Sequence, residues 1–134
     1  MLTQSKPHAR QSGAAAVESI FAMVLVVVLL LGVVEVAFVL YARNVVAASA
    51  HEGVRSVIER GAEAGDAERI ARRTVRDSAG GLVGDLNVGV EFLPGAGTEQ
   101  VTVVVSGRVK PFGPVPLPIT VRSTASSSRA AVEQ

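Results

Sequence analysis

The stretch AAAVESIFAMVLVVVLLLGVVEVAFVLYA, residues 14–42, decides how this chain is built. Between Ser19 and Val34 it carries no charge. A bilayer core of roughly 30 Å is crossed by about 20 helical residues, so the stretch makes one pass and not two. It is longer than the roughly 7–15 apolar residues of a secretory signal, which makes it a retained anchor. β-Branched valines are mediocre helix formers in water. In lipid the backbone must bond to itself, and helix wins. Glu18 and Glu35 are the only charged residues inside the stretch. A carboxylate entering lipid costs about 3 kcal/mol, so Glu18 suggests a job or a partner. Glu35, near the far end of the span, reads either as an interfacial, snorkelling carboxylate or as a contact with a neighbouring protein.

The flanks set the orientation. Residues 1–13 carry Lys6 and Arg10 and no acid, whereas Arg43, Arg55 and Arg60 beyond the span are mixed with Glu52, Glu59, Glu63 and Asp66. The positive-inside rule places the amino terminus in the cytoplasm and the bulk of the chain outside the cell membrane. The chain has no cysteine, so an exported domain must be held by its own packing, by the long helix or by neighbouring subunits. A net charge of +1 points to no particular partner.

Beyond Tyr41 the pattern turns amphipathic. Val46, Ala47, Ala50, Val54, Val57 and Ile58 recur at three- and four-residue spacing, which extends the helix to about residue 60. Gly61 ends it. Asp66 is the expected N-cap of a second helix that runs to about Ser78 and stops at Gly80-Gly81. Ile70, Ala71, Thr74 and Val75 form one face of this helix, and Arg69, Arg72, Arg73 and Arg76 the other.

From Leu86 the period becomes two. Val88, Val90 and Phe92 make one strand, Pro94 to Gly97 a turn, and Val101, Val103, Val105 and Val109 a second strand. Pro111, Pro114, Pro116 and Pro118 form a stiff connection outside the sheet, and Ile119, Val121 and Ser123 begin a third strand. The expected fold is a single-pass membrane α+β protein. It has a long amino-terminal spine helix, a short second helix and an antiparallel sheet of about three strands. Its segments are a cytoplasmic leader without regular structure (1–13), a transmembrane helix (14–42), an extracytoplasmic domain that includes the outer half of the spine (43–125), and a flexible tail (126–134).

No residues assemble into an active site. His51-Glu52 opens like a zinc-protease motif, but Arg55 stands where the second histidine belongs. With no cysteine and two separated histidines, no metal site is expected. No nucleophile, base and orienting acid come together, and no glycine-rich phosphate loop exists, so neither enzyme chemistry nor a cofactor is expected. The stripe Arg69, Arg72, Arg73 and Arg76 is a candidate contact for anionic lipid or polymer. No aromatic residue interleaves it, and Glu68 is placed to pair with Arg72, so nucleic acid is not expected and a solvated face is the simpler reading.

The sequence Gly13-Ala14-Ala15-Ala16-Val17-Glu18 resembles the processing site of type IV pilins and pseudopilins. It resembles more closely that of TadE-like proteins of tight-adherence, Flp-type pilus systems. In those families a membrane prepilin peptidase cuts after a glycine, and the fifth residue of the mature chain is glutamate. The resemblance implies a cut between Gly13 and Ala14, with Glu18 as that fifth residue. The new amine at Ala14 then lies one helical turn from Glu18 on the same face. In a low-dielectric setting such a pair, within or between subunits, offsets the desolvation of both charges. The leader departs from the family pattern at Gln11-Ser12, and so does Ser19 after the glutamate.

The likeness continues through Gly32-Val33-Val34-Glu35-Val36, Tyr41-Ala42-Arg43-Asn44, Ala47-Ala48 and Glu52-Gly53-Val54-Arg55. It returns more loosely at Ile119 to Ala125. It implies a minor pilin or pseudopilin that assembles with other pilin subunits and with assembly-platform membrane proteins. Glu18 and Glu35 would then be intramembrane assembly contacts. At about 100° per residue the two acids point roughly a right angle apart on an ideal helix, so they are not one paired site. The alternative is an unprocessed, signal-anchored membrane protein whose outer domain binds a partner or polymer.

Overall fold

The computed structural model describes residues 9–111 and 118–130. The chain divides into two compact units, Met1–Val34 and Glu35–Gln134. Helix α1, Ala9–Arg60, contributes to both. It is the one helix among the described residues that is long and apolar enough to cross a membrane.

The described residues of the first unit, 9–34, all belong to this helix. Its large apolar side chains all face outward, among them Phe21 at 73% and Met23 at 71% exposure. So large an exposed apolar surface is consistent with a helix that spans a membrane. The helix begins at Ala9, so residues 9–13, expected in an unstructured leader, are helical. Once a helix is nucleated, each added residue gains a backbone bond at little further entropic cost, and alanine, arginine and glutamine propagate it well. Residues 1–8 lie outside the described residues.

The second unit has a sheet packed on the outer part of α1 and on helix α2, Ala64–Ala79. Strands β1 (Val83–Pro94), β2 (Thr98–Val109) and β3 (Ile119–Ala130) form an antiparallel meander in the order β1-β2-β3. The expected spine, second helix and three strands are all present. α1 ends as expected, with Gly61 at φ 65° donating to the Val57 carbonyl and Ala62 donating to that of Ser56.

The fully and nearly buried core is valine and alanine. α1 gives Ala42, Val46, Ala50, Val54 and Val57, and α2 gives Ala67, Ala71, Val75 and Ala79. The strands give Val83, Val88, Val101, Val103, Val105, Val109, Val121 and Ala125. Small helical residues let the helix backbones come close to a valine-rich sheet. Gly53 marks the tightest point, where an added Cβ would lie 3.2 Å from Val103 Cγ1 and 3.6 Å from Ala71 Cβ. The two buried serines, Ser49 and Ser56, donate to the carbonyls of Val46 and Gly53 at 2.8 and 2.7 Å, so neither hydroxyl is left unsatisfied.

Four further expectations need correction. The N-cap of α2 is Glu63, not Asp66. Asp66 lies in the first turn, where it favours the helix dipole and pairs with Arg69. The buried ridge of α2 is Ala67, Ala71, Val75 and Ala79 at i, i+4 spacing, while Ile70 and Thr74 are only half-buried.

β1 starts at Val83 rather than Leu86. A bulge between Gly84 and Asn87 inserts one extra residue, so Val83 and Val88 both face the core despite their opposite parity. Asp85 sits in this bulge at φ 48°, a conformation that aspartate tolerates, and accepts from Arg108 at 3.1 Å.

Lastly, β3 continues through residues 126–130, which the sequence assigned to a flexible tail. Residues 131–134, like the connecting Pro114 and Pro116, lie outside the described residues. The continuation has a physical anchor. Arg129 pairs with Glu99 of β2 at 2.6 Å and stacks over the ring of Phe92 of β1, 5.8 Å from its centroid. One arginine thus ties the far ends of all three strands together.

Candidate functional site

The residues of interest are placed by their neighbours along α1. Gly13 and Ala14 lie within the helix and are exposed. Ala14 and Glu18 are four residues apart, hence on one face. Glu18 is exposed, and among the described residues its carboxylate has no hydrogen bond or ion pair. Next to it, Ser19 turns its hydroxyl back to the Ala15 carbonyl at 2.9 Å, which hides a polar group in an apolar stretch. The structure therefore offers a helix face with a single uncompensated acid, surrounded by alanine, valine, isoleucine and phenylalanine.

Glu35 differs. It belongs to the second unit and is half-buried. It lines a narrow cleft with Phe38, Val39, Val109, Lys110 and Ile119. No sequence pattern links it to Lys110, because the two residues share a cleft only through the β2 end of the sheet.

The four arginines do share the outer side of α2, but most of their charge is spent locally. Arg69 pairs with Asp66, Arg72 with Glu68 at 2.8 Å and Arg73 with Asp77 at 3.4 Å. Arg72 also donates to the Leu86 carbonyl at 2.8 Å, fastening α2 to the bulged edge of β1. Only Arg76 has no ion pair among the described residues. A free anion would have to displace carboxylates already in place.

On α1, Arg55 donates to Glu59 at 2.8 Å. That hydrogen bond first, and then the charges of Glu59 and Glu52, hold the guanidinium above the ordinary arginine range. A raised folded-state pKa contributes stability below the unfolded pKa and loses it only as pH rises through the folded value. For arginine that window lies far above neutrality, so the pair is constant at physiological pH. Tyr41 was also unremarked in the sequence as a joint. Its hydroxyl reaches the Ser78 carbonyl at the end of α2.

Residues 13–55 match the family model for TadE-like protein, which confirms the resemblance over that segment. The match starts at Gly13, takes in Glu18 and Glu35, and ends at Arg55 on the outer part of α1. α2 and the sheet lie beyond it. No curated protein and no solved structure matches the chain.

Proposed function

We propose that the chain is a minor pilin or pseudopilin-like structural subunit of a tight-adherence pilus or a related secretion machine. The observation that carries this reading is the TadE-like match over residues 13–55 on a helix whose apolar face is uncovered and whose first acid has no partner among the described residues. In this reading a prepilin peptidase removes residues 1–13 on the cytoplasmic side. The spine stays in the bilayer, and the sheet domain folds outside.

Assembly then moves the spine from lipid into a bundle of other spines. The same aliphatic face is buried before and after, so the transfer needs little net hydrophobic free energy. What changes is the setting of Glu18. A cationic amine at Ala14, of its own or a neighbouring subunit, stabilises the buried carboxylate and fixes the register of the incoming helix. The protein acts by packing and not by catalysis. Its partners are other pilin subunits, the peptidase and the assembly-platform membrane proteins.

The test is the mass of the amino-terminal peptide of membrane-extracted protein, from cells with and without their prepilin peptidase. A start at Ala14 that depends on the peptidase supports the reading. An intact leader in both strains overturns it in favour of an unprocessed anchor.

A further inference from the structure

We infer that the cleft between Glu35 and Lys110 is a seat for the headgroup of an amine-bearing zwitterionic phospholipid. The inference rests on the membrane-anchored reading of the chain but not on its processing.

Three observations meet here. First, Glu35 and Lys110 line one cleft, and its other walls are the apolar Phe38, Val39, Val109, Pro111 and Ile119. Second, among the described residues neither charge has a hydrogen bond or ion pair of its own, in a domain that pairs most of its other charges. Glu35 is moreover half-buried, and a carboxylate is not withdrawn from water beside apolar walls without a compensating partner. Third, the surface beside the cleft stays apolar, with Val36 60% and Leu40 53% exposed, and the sixteen residues 19–34 just before Glu35 are uncharged. Charge meets hydrocarbon here, as it does at a bilayer interface.

A ligand that answers all three has an anion for Lys110, a cation for Glu35 and an acyl tail for the exposed apolar strip. A phosphoethanolamine headgroup supplies the first two. Its primary ammonium has three N–H donors for the carboxylate, and its phosphate accepts from the lysine. Choline has no N–H to donate, and glycerol brings no cation, so neither satisfies Glu35. The cleft is too narrow to enclose a ligand. The headgroup lies across its mouth while the tails remain in the membrane, as befits a lipid and not a soluble metabolite. The bound lipid would neutralise Glu35 at the membrane surface and fix the depth at which the folded domain begins.

The experiment uses the full-length chain in nanodiscs that contain phosphatidylethanolamine, phosphatidylcholine and phosphatidylglycerol in equal amounts, with lipids retained after mild extraction counted by native mass spectrometry. Phosphatidylethanolamine should be enriched about tenfold over the other two, the scale of a hydrogen bond between charged groups. Glu35→Gln and Lys110→Gln should each abolish the enrichment, while Lys110→Arg should keep it.

Equal retention of phosphatidylglycerol that survives Glu35→Gln would show a lysine–phosphate contact alone and overturn the proposal. Loss of thermal stability in both Gln variants with unchanged lipid preference would show the two side chains serving each other, and would overturn it too. So would the absence of any preference. A selective but unprocessed chain sinks the pilin reading and leaves this one standing. A chain that does not enter nanodiscs at all sinks both.

Discussion

The Tyr41 hydroxyl donates to the Ser78 carbonyl at 2.7 Å, so one phenol on α1 closes the carboxyl end of α2. The last carbonyls of a helix have no partner within it, and here a side chain thirty-seven positions earlier provides one. Tyr41 sits where the apolar stretch gives way to the folded domain. Such a ring suits an interface that is apolar on one side and wet on the other. Tyr41→Phe keeps the ring and removes only the bond. It should destabilise the domain by about 1 kcal/mol. Hydrogen exchange should quicken at residues 76–80, and unchanged exchange there would show that the bond contributes nothing.

Gly107 lies opposite the β1 bulge. A Cβ there would collide with Val83 Cγ1, with the Gly84 carbonyl oxygen at 3.3 Å and Leu86 Cδ1 at 3.5 Å. Gly107→Ala should cost about 1–3 kcal/mol through overpacking. Adding Val83→Ala should recover part of that loss, because the two changes share one contact. Denaturant unfolding of the single and double variants measures the coupling, and strict additivity would refute the clash.

Arg129 secures the end of β3 through Glu99 and Phe92. The two side chains are only 30% and 28% exposed, so the pair is worth more than an open surface bridge, on the order of 1 kcal/mol. Arg129→Gln should release residues 126–130 from the sheet with little change at Val121 and Ala125. Amide exchange mapped along β3 separates local fraying from global loss.

Among the α2 arginines the structure ranks the effects. Arg72→Ala removes both the Glu68 pair and the donor to Leu86, and should cost about 1–2 kcal/mol. Arg73→Ala, on an exposed pair, should fall within about 0.5 kcal/mol of wild type. Thermal melts that reverse this order would return the stripe to the list of contact surfaces.

Glu18→Ala should leave membrane insertion intact, since it only removes a carboxylate from the apolar stretch; the expected loss is in incorporation with pilin subunits. Normal co-purification of the variant with those subunits would falsify the assembly role.

Much of the fold was legible because local pattern and tertiary demand agree. The unbroken apolar run fixes α1, Gly61 ends it, and the alternation from Val101 to Val105 fixes β2. What escaped depended on distant residues. Ser126-Ser127-Ser128 carries no alternation, and its strand is held by Arg129 reaching two other strands. The bulge at Gly84–Asn87 reversed the parity that would have identified Val83. Asp66 has the chemistry of a cap and of a first-turn acid alike, and backbone geometry chose the second. The site divided in the same way. Glu18 was plain from its surroundings in sequence, whereas the setting of Glu35 required Lys110, far along the chain. Tyr41 answers a backbone carbonyl, and carbonyls have no letter in a sequence.

The valine and alanine core has one more consequence. Alanine has no rotamers to lose on folding, and β-branched valine has few. The interior therefore sets with little side-chain entropy to surrender, unlike a core of leucine and methionine. A domain with no thiols to join begins with its side chains already close to their final torsions.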